Sequence, residues 1–169
     1  MSEAAGAPSA RLVDTCGRAH RVLRVSVTDR CNLRCTYCMP ADFAAWLPGD
    51  HLLTVDELVE VVDVAVGLGV TNVRLTGGEP TLRPDLVDLV ARIADLPNAP
   101  RMSLTSNGLR LAEQAEPLAA AGLERVNVSL DTLDADRFAQ MTFRDRHADV
   151  LAGIEAALAA GLRPVKVNA

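Results

Sequence analysis

Short segments rich in β-branched residues alternate with helical segments along this chain, and this alternation restricts the possible folds more than any other feature. Five strands are predicted, at residues 21–28, 70–78, 101–105, 124–131 and 163–168. Helices are predicted between them, at residues 54–69, 84–96, 111–121, from 134 and over 147–161. Repeated β/α units favour a parallel sheet with right-handed crossovers, and 169 residues suffice for one domain with a buried core. The predicted fold class is therefore α/β.

Local signals define the ends of the predicted helices. Thr54 and Glu57 have the spacing of a capping box at the start of the first helix. The second helix is predicted to begin with Pro84 at its first position, because proline is favoured there. The third is expected to be interrupted at Pro117, since proline cannot donate the hydrogen bond of a helix interior.

Every predicted strand alternates apolar and polar residues, which is unusual for a parallel sheet that is covered on both faces. The apolar positions, such as Val25 and Val73, are expected to meet the helices. The opposite positions are polar in all five strands: Arg24, Ser26, Thr28, Asn72, Arg74, Thr76, Ser103, Thr105, Asn127, Ser129, Asp131, Lys166 and Asn168. A dry core could not hold these cations, because an isolated buried charge is strongly destabilising. The pattern predicts a partial (β/α) barrel around a wet, positively biased ligand cavity; the alternative is an open, antiparallel-like sheet with one solvated face.

The segment CNLRCTYC follows the first strand directly and contains Cys31, Cys35 and Cys38. The carboxyl ends of strands are where α/β barrels place their chemistry. Three thiolates can hold three irons of a 4Fe–4S cluster and leave the fourth iron open to a small molecule, whereas a closed zinc site needs four ligands. The spacing therefore favours an iron–sulfur cluster with an open iron. The alternative is a zinc site completed by one of three residues, Cys16, His20 or His51.

Composition limits the cellular setting and the partners. The net charge of −5 argues against nucleic acid as a partner. No apolar run approaches the roughly 20 residues of a membrane span, and the first residues lack the apolar core of a secretory signal. A cytoplasmic protein is expected, in which metal or redox chemistry explains the four cysteines better than disulfides do. Residues 1–10 are predicted to be a disordered tail.

The CNLRCTYC segment resembles the CxxxCxxC signature of radical S-adenosylmethionine (SAM) enzymes, in which SAM chelates the open iron. Further segments add to this resemblance in order and spacing: VSVTDRCNLRCTYCMP, VRLTGGEPTLR, LTSNGLRL, RVNVSLDTLD and GLRPVKVN. Within the radical SAM enzymes they are similar to the GTP 3′,8-cyclases, which catalyse the first step of molybdenum cofactor biosynthesis. The resemblance runs from about Arg11 onward and covers only the N-terminal half of that family. Other radical SAM enzymes are the alternative.

The resemblance implies roles for individual residues. The ligands of the SAM-binding cluster correspond to Cys31, Cys35 and Cys38. Residues that contact SAM in the family correspond to Tyr37, Gly78 and Ser129. Residues that contact GTP correspond to Arg24, Arg74, Thr105 and Lys166, all of which lie on polar strand positions. The turn at residues 77–80 is expected to use glycine so that its backbone can approach SAM. No residue is assigned a catalytic role.

The implied reaction is radical chemistry on GTP. An external reductant donates one electron, and SAM is cleaved to methionine and a 5′-deoxyadenosyl radical. This radical removes hydrogen from C3′ of GTP, and that carbon then bonds to C8 of guanine to give 3′,8-cyclo-7,8-dihydro-GTP. The cavity is expected to exclude solvent while the radicals exist.

The chain departs from this family in its length. Members carry a second 4Fe–4S cluster on three further cysteines, whereas this chain has no cysteine after Cys38. Residues 11–169 are therefore predicted to be an incomplete radical SAM core, truncated after about the fifth strand, where a β/α barrel takes ~250 residues. Two hypotheses follow: the N-terminal portion of a GTP cyclase whose full-length family is expected to dimerise, or a non-catalytic fragment that binds one cluster and SAM. Under both, the 169 residues alone are expected to form no cyclised nucleotide.

Overall fold

The structure is a computed structural model that describes residues 11–39, 43 and 45–169. Its strands are β1 (Val22–Ser26), β2 (Asn72–Thr76), β3 (Arg101–Ser106), β4 (Arg125–Ser129) and β5 (Val165–Asn168). Its α-helices are α1 (Val55–Gly67), α2 (Leu86–Ala94), α3 (Leu111–Ala120), α4 (Ala135–Thr142) and α5 (His147–Ala159). Short 3₁₀ turns lie at Gly49–His51 and Pro80–Leu82. The tail predicted for residues 1–10 lies outside the described residues.

The strands form one parallel sheet in the order β1-β2-β3-β4-β5. This confirms the α/β prediction, and the antiparallel-like alternative is wrong. Strands β1 and β5 are the two edges, so within the described residues the sheet is an open arc, as expected for a partial barrel. All carboxyl ends of the strands lie along one edge, because every pairing is parallel.

The core lies between the helices and the apolar positions of the strands. The strand residues in it are buried, as the alternation predicts: Val25, Val73, Leu75, Met102, Leu104, Val126 and Val128. The helices add further buried residues: Leu58, Val62, Leu86, Leu89, Ile93, Leu111, Leu118 and Val150. Each such side chain stabilises the fold by about 1.5–3 kcal/mol relative to exposure. Helices on this face leave the other face of the sheet to the polar residues.

The capping box is confirmed, while both proline predictions need correction. The Thr54 side chain accepts a hydrogen bond from the Glu57 amide, and the Glu57 carboxylate accepts one from the Thr54 amide. Helix α2 begins at Leu86 rather than at Pro84, because the first complete helical turn runs from the Asp85 carbonyl. Helix α3 continues through Pro117 without interruption. Its missing hydrogen bond falls on the exposed side of the helix, where water can bond the free carbonyl.

None of the helices in the described part of the chain is both long and apolar enough to span a lipid bilayer.

Candidate functional site

The cysteine loop follows β1 and is held between β2 and the end of α4. The amide of Val27 donates to the Thr76 carbonyl at 2.9 Å, which extends the β1–β2 pairing into the loop. On the other side, the amide of Arg34 donates to the Thr142 carbonyl at 3.0 Å, and that of Thr36 donates to Met141 at 2.9 Å. The loop is therefore anchored to β2 at its start and to the end of α4 further along.

The Gly-Gly-Glu-Pro turn after β2 lies directly against the start of this loop. The Gly78 amide donates to the Thr28 carbonyl at 2.8 Å, and the Glu79 amide donates to the Arg30 carbonyl at 2.7 Å. A Cβ atom on Gly78 would lie 2.3 Å from the Asp29 carbonyl oxygen and 2.4 Å from that of Arg30. The absent side chain thus permits two backbone segments to touch. We predicted glycine here for the approach of a ligand, and contact between the two loops is the reason that the structure shows.

Gly77 is constrained twice at the same contact. Its φ of +150° lies in the region that favours glycine, and a Cβ atom would lie 2.3 Å from the Thr28 carbonyl oxygen. Both glycines of the turn therefore fix the position of the cysteine loop relative to β2.

Glu79 carries a fully buried carboxylate at the centre of this edge. It accepts hydrogen bonds from the Thr81 amide at 3.0 Å and the Thr81 hydroxyl at 2.6 Å. It also accepts from the Ser106 hydroxyl at 2.8 Å and the Asn107 amide at 2.6 Å. These four bonds compensate for the loss of water around the carboxylate and join the turn after β2 to the end of β3. Sequence reasoning missed this role, and the only signal was a carboxylate next to a rigid turn.

Asn107 continues the connection from Glu79 to the first cysteine. Its side-chain amide donates to the Asn32 side chain at 2.8 Å and points at the Cys31 sulfur at 3.9 Å. Its side-chain oxygen accepts from the Leu109 amide at 3.1 Å, which fixes the orientation of the amide group. An N–H donor beside a thiolate stabilises the negative charge on sulfur. Asn107 was not among the predicted site residues.

The three cysteines of the loop differ in exposure. Cys31 and Cys35 are half-buried, whereas Cys38 is exposed. Burial is the main cause that raises the pKa of Cys31 and the pKa of Cys35, and the nearby Cys38 raises both further. Across residues 11–39, 43 and 45–169, no three His, Cys, Asp or Glu side chains converge closely enough to hold a metal ion. The predicted ligands therefore share one loop without forming a preassembled site.

The donor set nonetheless fits an iron–sulfur cluster with an open iron. Iron–sulfur clusters are held by cysteine thiolates, and this loop contains three cysteines at the carboxyl edge of the sheet. Cys38 is close enough to raise the pKa of Cys31 and that of Cys35, so the thiolates need a cationic partner once they lose their protons. The Asn107 amide supplies the hydrogen bond that such thiolates accept.

The residues of the alternative zinc site lie in separate parts of the structure. Cys16 is exposed in the turn of a hairpin whose strands meet at the bridge between Val13 and Ala19. His20 follows that hairpin, 3.6 Å from the Asp14 carboxylate. His51 lies in a 3₁₀ turn before α1. The structure gives no support to a fourth protein ligand from this set.

Tyr37, expected to contact SAM, bridges the cysteine loop to the end of β4. Its hydroxyl donates to the Asp131 carboxylate at 2.5 Å. Partial burial raises the pKa of Tyr37 first, and the hydrogen bond to Asp131 raises it further. The phenol therefore stays protonated around neutral pH and acts as a hydrogen-bond donor. Gly78 and Ser129, the other predicted SAM contacts, lie at the same carboxyl edge on either side of β3: Gly78 in the turn after β2 and Ser129 at the last residue of β4.

The predicted GTP contacts lie on the polar face of the sheet. In the strand register Arg24 is paired with Arg74, while Asn127 is paired with both Thr105 and Lys166. Register partners in a sheet project to the same face. Within the described residues, none of these cations forms an ion pair. The Nε atom of Arg74 is buried and has no hydrogen-bond partner among the described residues. An anion bound on this face could accept a hydrogen bond from it.

Arg144 and Arg146, in the segment between α4 and α5, are exposed. Arg83 was not among the predicted site residues, and it has a structural role at the carboxyl edge of the sheet. It pairs with Asp85 at 2.6 Å and donates to the Val27 carbonyl at 2.9 Å, which connects the start of α2 to the end of β1.

Comparison with known proteins gives matches over most of the chain. The profile of the Radical SAM superfamily matches residues 25–169. A GTP 3′,8-cyclase of Mycobacterium sp. strain KMS is 59% identical over 168 residues, which are 98% of this chain and 48% of the relative. A GTP 3′,8-cyclase of Streptomyces coelicolor is 60% identical over 158 residues, covering 93% of this chain and 46% of the relative. The chain thus spans about half the length of the curated relatives it matches.

Solved structures with low sequence identity share the fold. Streptococcus suis SuiB bound to precursor peptide SuiA matches with a TM-score of 0.73 at 21% identity, over 88% of this chain and 32% of SuiB. Methylornithine synthase matches with a TM-score of 0.69 at 16% identity, over 86% of this chain and 43% of the synthase. At these identities the likeness supports the architecture alone, and it agrees with an arc of parallel strands from a β/α barrel.

Proposed function

This chain belongs to the radical SAM superfamily, and on that basis we propose that it provides the SAM-binding and GTP-binding part of a GTP 3′,8-cyclase. The observation that carries the proposal is the arrangement of one sheet, with a three-cysteine loop at its carboxyl edge and, on its polar face, cations that form no ion pair with any described residue. The names of relatives at 59% and 60% identity support the same substrate.

In this proposal Cys31, Cys35 and Cys38 hold one 4Fe–4S cluster, which when bound supplies the electron for reductive cleavage of SAM. The hydrogen bonds of the Gly78 turn hold the start of the cysteine loop at the carboxyl end of β2, which supports a cluster at this edge. Tyr37 and Ser129 offer hydroxyl groups to SAM from two sides of this edge. The electron comes from a reductant outside these residues.

The polar face binds GTP in the same proposal. A triphosphate carries about four negative charges, and hydrogen bonds from cations to such oxygens are roughly twice as strong as neutral ones. Arg24, Arg74 and Lys166 supply these donors, and Thr105 adds a hydroxyl in the row of Lys166. Because all four side chains project from the sheet face whose carboxyl edge bears the cysteine loop, the ribose of the nucleotide can lie between the phosphates and SAM.

A first test of this proposal measures SAM binding through the cluster. Addition of SAM to the reduced, reconstituted chain is expected to change its electron paramagnetic resonance spectrum, because SAM occupies the open iron. Ser129→Ala is expected to raise the SAM concentration needed for half of this change severalfold, since one hydroxyl contact is lost. Ser103→Ala, a matched change deeper in the sheet, should leave it unaltered. An identical spectrum with and without saturating SAM would refute SAM ligation.

A second test measures GTP binding by isothermal titration calorimetry. Arg74→Gln is expected to weaken GTP binding about tenfold or more, since a charge-assisted contact contributes about 1.5–3 kcal/mol. Lys166→Gln is expected to weaken it severalfold, because Lys166 is more exposed and its contact is better screened. Arg92→Gln removes the same charge from α2, on the helical side of the sheet, and is expected to have no effect. Equal affinities for all four proteins would contradict a GTP site on the polar face.

A further inference from the structure

The sheet register places an additional arginine in the row of Arg24 and Arg74. Ser103 is the register partner of Arg74 on one side and of Arg125 on the other. Since Arg24 is in turn paired with Arg74, three guanidinium groups occupy one row across β1, β2 and β4. Register partners project to the same face, so Arg125 projects from the polar face. Arg125 begins the segment RVNVSLDTLD, but the sequence analysis assigns it no role.

These three arginines lack an anionic partner in the described part of the chain. Arg24, Arg74 and Arg125 form no ion pair with a carboxylate there, and the buried Nε of Arg74 has no hydrogen-bond partner. In contrast, Arg101 at the start of β3 pairs with Glu124 at 2.9 Å. Like charges directly opposite each other on neighbouring strands destabilise a sheet. A bound polyanion would offset this repulsion and so stabilise the row.

We infer that Arg125 is a further phosphate ligand and that the polyphosphate of a nucleoside triphosphate lies across the row formed by Arg24, Arg74 and Arg125. This inference rests on the proposed function and adds a contact to it. Arg125 is half-buried at the first position of β4, where its planar guanidinium can bind two phosphate oxygens at once.

The position of Arg125 along β4 also sets the direction of the bound nucleotide. Ser129, at the edge that carries the cysteine loop, lies four residues further along the strand, or about 13 Å at 3.3 Å per residue. Lys166 is the register partner of Asn127, which lies two residues nearer that edge than Arg125 does. The phosphates therefore lie at the far end of the face, and the ribose and base lie toward the cysteines.

The experiment compares Arg125→Gln, Arg125→Lys and the control Arg92→Gln with the unmodified chain. Calorimetry gives the affinity for GTP, ATP, GMP and inorganic tripolyphosphate, and circular dichroism verifies folding. Arg125→Gln is expected to weaken GTP and tripolyphosphate binding about tenfold while changing GMP binding less than twofold. Arg125→Lys keeps the charge but loses the two-pronged geometry, so an intermediate loss of about threefold is expected. Arg92→Gln is expected to match the unmodified chain.

The outcomes separate this inference from the proposed function. If Arg125→Gln and Arg125→Lys leave GTP and tripolyphosphate affinity unchanged while Arg74→Gln weakens both, the Arg125 inference is wrong and the GTP site stands. If Arg125→Gln weakens the binding of GTP, ATP and tripolyphosphate while the unmodified chain binds ATP more tightly than GTP, Arg125 is a phosphate ligand. In that case the inference stands, and the proposal that GTP is the substrate is wrong. Absence of any polyphosphate binding by the unmodified, folded chain overturns the inference.

Discussion

Replacement of Cys31, Cys35 or Cys38 by alanine is expected to reduce the iron bound after anaerobic reconstitution from about four atoms per chain to nearly none. Each thiolate holds one iron, so a variant keeps only two of the three protein ligands. Cys16→Ala is the matched control, because Cys16 lies in an exposed hairpin turn and its loss should leave the iron content unchanged. Iron and acid-labile sulfide are measured together.

Two results would contradict the cluster assignment. Stoichiometric zinc with little iron in the reconstituted chain would favour the zinc alternative, and loss of metal on Cys16→Ala would identify its fourth ligand. Full iron content in any of the three loop variants would show that the cluster is held elsewhere. Asn107→Ala adds a finer comparison: it should retain iron but shift the reduction potential of the cluster, since one hydrogen-bond donor beside Cys31 is removed.

Gly78→Val is expected to destabilise the fold by at least about 3 kcal/mol and to prevent stable cluster binding. The new side chain would meet the carbonyl oxygens of Asp29 and Arg30. This backbone is held in place because the carbonyls of Thr28 and Arg30 accept hydrogen bonds from the turn. Overpacking against side chains costs about 1–3 kcal/mol, and here the obstacle is backbone that cannot rotate away. For a chain of this size the expected fall in Tm is roughly 6–12 °C, measured by thermal denaturation.

Gly67→Ala is the matched control for this prediction. Gly67 ends α1, and a Cβ atom there would meet no atom within 4 Å. Alanine is the better helix former, so this variant should be as stable as the unmodified chain or more stable by up to about 1 kcal/mol. If Gly78→Val had the same Tm as Gly67→Ala and retained its iron, the contact between the turn and the cysteine loop would not position the cluster.

The residue pattern by itself determined the sheet type, the location of the cysteine loop and the polar face. Alternation of strands with helices implies parallel pairing, and parallel pairing places every carboxyl end at one edge, so Cys31 and Ser129 had to lie along the same edge. Strand periodicity of two residues likewise determined that Arg24, Arg74 and Lys166 face away from the helices. The capping box at Thr54 followed from local chemistry within four residues and needed no tertiary context.

Only the tertiary structure decided which residues from different strands come into contact. Glu79 is indistinguishable from a surface carboxylate until the end of β3 brings Ser106 and Asn107 against it. Arg125 alternates with Asn127 and Ser129 and so shares their face, but only the register of β3 with β2 and β4 places it in the row of Arg24 and Arg74. The turn after β2 was predicted in place, but the contact of its glycines with the cysteine loop was not, since the neighbouring backbone is distant in sequence. Contacts of this kind depend on strand register and loop packing, which a local sequence pattern does not specify.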